Sequence, residues 1–498
     1  MAGAALVLLK DCGGLPVRKW LPLTAACMGA FMLLVDITIV TVALPDMAAG
    51  LHTTFADLQW VMDGYALALA TLLLSAGSLA DRIGRRTMYL GGLAVFSAAS
   101  LGCALADSPV LLIVFRVLQG AGGAAMFATM MALLSSTYRG RDRGVAFGVW
   151  GAVNGAAAAA GPVLGGLLTQ HLGWRWIFYV NLPLAAVTLL VTLRTVKESR
   201  GPRGRVDLPG MASFTLAAGS TTFALIRAGG TGWTNPATLG MLSIGALAAV
   251  AFIRIEARAA HPMLDLSLFR DRSFAGIMTG GALMPIAAYS YLAYSSLWLQ
   301  SARGLGPLAT GLALAPMSAA TFLVSGLAGR LVHRLPPRLP IGAGLLLTGT
   351  GALLQTQVHA ESTWTALLPG LSMTGIGVGL STPVLASAAM ARVPQERAGM
   401  AGGALSTGRQ LGNALGIAGL GLIFQAAHPA ATSQPLLTPG RAAAGADAAA
   451  AVSGGLRDVL LVAGTVGLLA GIIVLLMVRA PAPSEQADAP RTAIPTRI

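Results

Sequence analysis

The sequence predicts an all-α polytopic membrane protein of fourteen spanning helices: two six-helix bundles with two extra helices between them. Three observations predict it. The 498 residues are 55% hydrophobic and only 10% charged, whereas soluble domains carry about 25% charged residues. Apolar runs long enough to cross a bilayer recur from Trp20 onward. One basic segment between two such runs occurs twice, 252 residues apart.

The first six spans fall near 20–44, 57–79, 87–106, 109–137, 144–168 and 175–194. They form an N-terminal bundle over 20–194, behind a cytoplasmic segment 1–19. The patch Met1–Leu9 is too short to span and has no clear cleavage site, so insertion begins with the Trp20 run. Two further spans near 208–226 and 237–255 sit in a linker, 195–272. The last six, near 273–300, 307–331, 339–358, 363–390, 398–425 and 456–479, form the C-terminal bundle 273–479. An Ala-rich loop occupies 426–455. The tail 480–498, with Pro481, Pro483, Pro490 and Pro495, reads as disordered.

The net charge of +14 would suit nucleic acid, but its distribution points to topology instead. Arg116 and Arg409 fall inside helices. Every other basic residue lies on the side of the N-terminus, except Arg175, Arg227, Arg303, Arg441 and Arg457. That is a positive-inside pattern, with both termini cytoplasmic and the basic loops against anionic lipid. Cys12, Cys27 and Cys103 are scattered, and so are the six histidines, so neither a disulfide framework nor a metal spacing emerges. None of the three lysines follows a phosphate-loop glycine pattern. Gly375, Gly377 and Gly379 lie inside a span with no preceding strand and read as packing positions. No cofactor and no enzyme constellation is expected.

The repeat joins Ala76–Arg86 to Ala328–Arg338, with Ala, Gly, Leu and two Arg in register. Arg143 and Gly148 echo weakly as Arg397 and Gly402. Parallel six-helix repeats are a transporter architecture, with a site between the halves near the midplane.

Asp36 is the residue that most needs explaining. A carboxylate inside an apolar span costs a few kcal/mol or more, and such acids mark ion or substrate pathways. With the first helix ending at Leu44, Asp36 stands about eight residues, roughly 12 Å, from its outer end. Asp63 and Arg116 stand at a similar depth in the second and fourth spans. Charge pairing and desolvation pull the affinity of a buried acid for protons in opposite directions, so such a site can switch as solvent access alternates. Asp36 then carries a proton, Arg116 tunes it and Gln119 relays it. The alternative is a fixed pair that only locks packing.

Several segments together resemble the major facilitator superfamily, and within it the fourteen-helix drug:proton antiporter family. They are the Asp36–Pro45 run; the loop residues Gly77, Asp81, Arg82, Gly84, Arg85 and Arg86; Arg116–Gly122; and Gly161, Pro162, Gly165 and Gly166 in the fifth span. Trp174–Pro183, Gln395–Gly403 and Arg409–Gly412 also match. Thr41 departs from the family's usual Asn, and Asp63 from a usual neutral residue.

The resemblance implies a monomeric, proton-driven exporter of small hydrophobic drugs or metabolites in a bacterial cytoplasmic membrane. An acid at Asp63 resembles the subset exporting lipophilic cations, though a hydrated structural acid is equally open. Tyr65, Asn154, Tyr291 and Tyr294 are further candidate substrate contacts, while Trp298 reads as an interfacial belt residue. The Asp81 loop is expected to latch the halves, and the Gly161–Gly166 segment to seal against proton leak. A proton-coupled nutrient importer and a non-transporting sensor or scaffold are the rival readings.

Overall fold

The computed structural model describes residues 19–138, 140–200, 207–259, 262, 264–331, 335–359, 361–393, 398–427 and 445–479. The segment before 19, the tail from 480, the loop 428–444, His333 and Gln395–Arg397 lie outside the described residues.

Every regular element among the described residues is helical. The long helices are α1 (Leu21–Leu51), α2 (Phe55–Ile83), α3 (Arg85–Leu105), α4 (Pro109–Thr137), α5 (Gly140–Leu172) and α6 (Asn181–Thr195, preceded by one turn at Trp176–Tyr179). Next come α7 (Leu208–Thr231), α8 (Pro236–Arg258) and α9 (Arg272–Ala288, continued by Leu292–Leu297 and a π turn at Trp298–Ala302). The last are α10 (Pro307–Leu331), α11 (Arg338–Leu354), α12 (Leu368–Ala391), α13 (Ala398–Ala427) and α14 (Gly445–Met477). Among the described residues, ten stretches are long and apolar enough to cross a membrane alone, or eleven if the bent α2 counts as one span. α7 and α13 fall short of that measure because Ser, Thr and, in α13, Arg409, Gln410 and Asn413 dilute them. α9 falls short because it is broken.

Three of the differences from the expected bounds bear on the sites described below. α1 does not end at Leu44 but continues through Pro45 to Leu51. Pro45 removes one backbone donor, which an otherwise intact helix in an apolar setting tolerates. Asp36 therefore stands fifteen residues from each end of α1, at its middle. α14 starts at Gly445, inside the predicted loop, because Ala448–Ala451 are strong helix formers. α9 breaks after Ala288, where the N–H groups of Tyr289 and Ser290 both donate to the Pro285 carbonyl.

The sequence repeat reappears as a packing repeat. In the first half α1 packs on α5 and α6, α4 on α2 and α3, and α3 on α6. In the second half α9 packs on α13 and α14, α12 on α10 and α11, and α11 on α14. Each pair recurs eight helices later. The halves meet along two seams related in the same way, α2 with α13 and α5 with α10. The hairpin of α7 and α8 breaks this symmetry. α7 packs on both α2 and α13, with the Phe223 and Trp60 rings 5.9 Å apart, so one seam is braced and the other is not.

The Arg82–Arg86 loop marks one end of the molecule, called here the basic end. At the opposite end the halves are tied by glutamines. Gln300 Nε2 donates to the Val42 carbonyl at 2.9 Å, Gln59 Nε2 to the Ile417 carbonyl at 3.3 Å, and Leu308 N–H to Gln170 Oε1 at 3.2 Å. A Cβ on Gly166 would collide with Pro307 and Leu308, and one on Gly311 with the Pro162 carbonyl. Small residues thus let α5 and α10 touch.

At the basic end, Glu198 caps α3. Its carboxylate accepts from the N–H groups of Arg86 (3.0 Å) and Thr87 (3.1 Å) and from the Thr87 hydroxyl (2.6 Å). Arg85 N–H donates to the Ser199 carbonyl, and Arg86 Nη2 to the Leu193 carbonyl. Gly84 has φ +120°, and a Cβ there would strike the Glu198 carboxyl, so glycine is required twice over. Partial burial alone raises the Glu198 pKa. The bonds from Thr87, Arg86 and Ser199 outweigh it and hold the carboxyl below its ordinary value of 4.5. Its contribution is therefore present above that value and is lost as pH falls through the lowered pKa. We predict that Glu198→Gln lowers stability by about 1 kcal/mol near neutral pH. The deficit should shrink in thermal melts of the purified chain below pH 4.5. Equal melting temperatures at neutral pH would refute the cap.

Candidate functional site

Four helices converge on Asp36, which is fully buried. Its Oδ2 accepts from Arg116 Nη1 of α4 at 2.6 Å. Its Oδ1 accepts from Gln119 Nε2 at 2.8 Å and from Asn181 Nδ2 of α6 at 3.0 Å. Ser100 Oγ of α3 accepts from the same two amides, at 2.8 and 3.3 Å. Gln119 Oε1 in turn accepts from Arg116 Nη1 at 2.7 Å.

Arg116 is held on its other sides as well. Its Nε donates to the Val61 carbonyl of α2 at 3.0 Å. Its guanidinium lies 4.3 Å from the centre of the Tyr65 ring, a cation–π contact strengthened by the absence of water. The i, i+3 spacing of Arg116 and Gln119 puts both on one face of α4, and the start of α6 at Asn181 aims that amide inward. The charges cancel, and every donor aimed at the carboxylate is used. The network ties four helices, α1, α3, α4 and α6, to one carboxylate.

Three of the members, Asp36, Arg116 and Gln119, were predicted and do come together. Asn181 and Ser100 were missed as site residues. Asn181 left a signal, a lone amide between apolar neighbours in Tyr179–Val180–Asn181–Leu182, whereas Ser100 in a run of small residues left none.

Asp63 has the opposite environment. It is fully buried, and neither carboxylate oxygen has a hydrogen-bond partner. The Tyr65 ring serves Arg116, and its hydroxyl is buried without a partner. Asn154 is half-buried on α5 with its Oδ1 unpartnered. Tyr291 is sealed inside the second half, accepting from Gln355 Nε2 at 3.1 Å and facing Thr374 Oγ1 at 3.5 Å. Tyr294 donates to the Ile417 carbonyl at 2.6 Å. Trp298 is not an interfacial belt residue. It is fully buried, and its Nε1 donates to Ser453 Oγ at 2.9 Å, because α14 covers the π turn on which it sits.

Of the loop residues, Asp81 pairs with Arg85 across the α2–α3 turn at 2.9 Å, within its own half. Arg82 is exposed, and a Cβ on Gly77 would meet open space. Gly84 and Arg86 belong to the Glu198 cap. Gly161 and Gly165 meet Thr38 and Ile39 of α1, while Pro162 and Gly166 meet α10. The segment therefore sits between the helix bearing Asp36 and the unbraced seam. Arg409 is half-buried on α13 beside Gly281 of α9; the acid or carbonyl partner expected for it is not found among the described residues.

Comparison with known proteins agrees with this architecture. A family model described as Major Facilitator Superfamily matches residues 26–417. The chain is 41% identical, over 84% of its length and 78% of the relative's, to the Multidrug resistance protein Stp of Mycobacterium tuberculosis (strain CDC 1551 / Oshkosh). It is 35% identical, over 82% of its length and 77% of the relative's, to the Tetracenomycin C resistance and export protein of Streptomyces glaucescens. Among solved structures it resembles a bacterial homolog of the human lysosomal transporter Spinster, in an inward-facing, unoccupied conformation. The TM-score is 0.64 at 19% identity, covering 95% of this chain and 100% of that one, a likeness of fold alone.

The Asp36–Arg116 geometry predicts strong coupling. Asp36→Asn or Arg116→Gln alone strands a buried charge and should cost roughly 3–5 kcal/mol. The double variant should lose clearly less than the sum of the two. Unfolding of the purified single and double variants checks it, and additive losses would contradict the pairing.

Proposed function

The chain belongs to the Major Facilitator Superfamily, and we propose that it exports small hydrophobic drugs or antibiotics from the bacterial cytoplasm in exchange for protons. The observation that carries export is the 41% identity, across 84% of the chain, to a protein named for multidrug resistance. Proton coupling is supported by the buried Asp36 and its ring of donors, the kind of intramembrane acid that marks a proton path. Asp36 is the carrier, Arg116 its counter-charge, and Gln119 and Asn181 hold the carboxylate while it is ionised.

The positive-inside rule assigns the basic end and both termini to the cytoplasm. The glutamine-tied end is then the outer gate, closed in this conformation. Alternating access is a rocking of the first six helices against the last six along the α2–α13 and α5–α10 seams. The Gly161–Gly166 segment sits where such rocking is felt by α1. Substrate enters from the cytoplasmic side between the halves, where Asn154 offers an unpartnered amide oxygen. Tyr65 and Asp63 on α2, and Tyr291 and Tyr294 beyond the α9 break, lie further toward the outer gate, and their contact with substrate requires that gate to loosen. The protein works as a monomer, with its basic loops on anionic lipid.

Expression in an efflux-deficient bacterium should raise the inhibitory concentrations of several hydrophobic antibiotics. Asp36→Asn, at matched membrane abundance, should return them to the vector level. In everted vesicles, drug accumulation should collapse on adding a protonophore. Wild-type export by Asp36→Asn would remove Asp36 from the proton path, and accumulation indifferent to the protonophore would refute antiport.

A further inference from the structure

Arg409 lies inside a membrane-spanning helix with no partner among the described residues. It stands on α13, eleven residues from the Ala398 end, roughly 16 Å into the span at 1.5 Å per residue. A cation at that depth is costly, and such residues pair with an acid or line a substrate path.

The acids of the chain do not pair with it. In the second half they are Glu361, Glu396, Asp447 and Asp458. Glu361 precedes α12 at the outer end, Glu396 precedes α13, and Asp447 and Asp458 stand in the outer half of α14. The other elements packed on α13 are α2, α7, α9 and α12. Asp57 and Asp63 stand in the outer half of α2, and Asp81 at its basic end pairs with Arg85. Asp207 caps α7 at the basic end, and α9 and α12 carry no acid. Asp36 is committed to its own donors. The titratable group near enough to act electrostatically on Arg409 is the Tyr289 hydroxyl.

The guanidinium is accompanied instead by further donors. Arg409 and Asn413 are four residues apart on one face of α13, and both are half-buried, as is Tyr289 at the α9 break. Asn413 Oδ1 accepts from the Ser290 hydroxyl at 3.3 Å, so its amino group is the end left to donate. Gly412 and Gly416 draw this stretch of α13 against Ala282 and Ser290 of the broken α9 segment. The Arg409 guanidinium, the Asn413 amino group and the Tyr289 hydroxyl have no hydrogen-bond partner among the described residues. Ala282 and Ile286 share the Tyr289 face of α9 and are half-buried too.

We propose that these donors receive an anionic group of the exported molecule, and that the substrates include hydrophobic acids. A carboxylate sits on Arg409, flanked by Tyr289 and Asn413, and the apolar body lies along Ala282 and Ile286. The guanidinium offers paired N–H groups that match the two oxygens of a carboxylate, and the pairing gains strength away from water. The direction of movement rests on the export reading; the binding does not.

The test uses the purified full chain in uncharged detergent, without a gradient. Calorimetry at neutral pH compares 2-naphthoate with 2-naphthamide, which has the same shape and no charge. Wild type should bind the naphthoate about ten- to a hundredfold more tightly. Arg409→Gln should abolish that preference by weakening naphthoate alone, Arg409→Lys should keep part of it, and Tyr289→Phe should weaken naphthoate severalfold. Without ligand, Arg409→Gln should melt no lower than wild type, because no internal ion pair is broken. Added phosphatidylglycerol should leave the preference unchanged. Equal affinity for the two probes in wild type, or an undiminished preference in Arg409→Gln, would overturn the proposal. Loss of naphthoate binding to added phosphatidylglycerol would also overturn it, by assigning the donors to a lipid phosphate. If Arg409→Gln does not fold, naphthoate affinity unchanged in both Arg409→Lys and Tyr289→Phe decides against it. Charge-selective binding with no naphthoate accumulation in energised everted vesicles would count against the export reading alone.

Discussion

Everything in the first half is arranged around one constraint, a carboxylate at the middle of a helix that lipid cannot solvate. Asp36 must be surrounded by donors, and they come from two other helices: Arg116 and Gln119 from α4, Asn181 from α6, with Ser100 of α3 steadying the amides. The demand extends outward, because Arg116 in turn takes the Val61 carbonyl and the Tyr65 ring from α2. A bundle whose apolar surfaces gain little from packing in lipid thereby acquires a specific register. Glycines at Gly161 and Gly165 let α5 lie against the same helix.

Much of this was legible in the sequence, for identifiable reasons. Apolar length located the helices, because lipid leaves a chain few alternatives. The repeat of Ala76–Arg86 anticipated a packing pattern that recurs eight helices on. Asp36, Arg116 and Gln119 were legible because charged and amide groups stand out against an apolar background. What stayed hidden depends on three-dimensional neighbours. Nothing local distinguishes Ser100 from other small residues. Trp298 looked interfacial because the covering by α14 is not written near it. Pro45 read as a stop, although the helix continues through it, and that error displaced Asp36 from the midpoint of α1.

The two acids differ in kind. Asp36 accepts three hydrogen bonds, whereas Asp63 accepts none. A saturated site ties several helices to one point. An unsatisfied one fastens nothing, and the seam beside it is held by the glutamines instead.

The hairpin of α7 and α8 has a consequence for how such a chain could be assembled at all. It leaves the basic end, turns after Thr231 and returns to that end at Arg258. An insertion of two crossings is even, so the second half is threaded with the same polarity as the first and the repeat remains superimposable. One crossing, or three, would have turned the second half upside down and destroyed the matched seams. Parity, rather than the identity of any residue in it, is what makes the insertion compatible with the machine it interrupts.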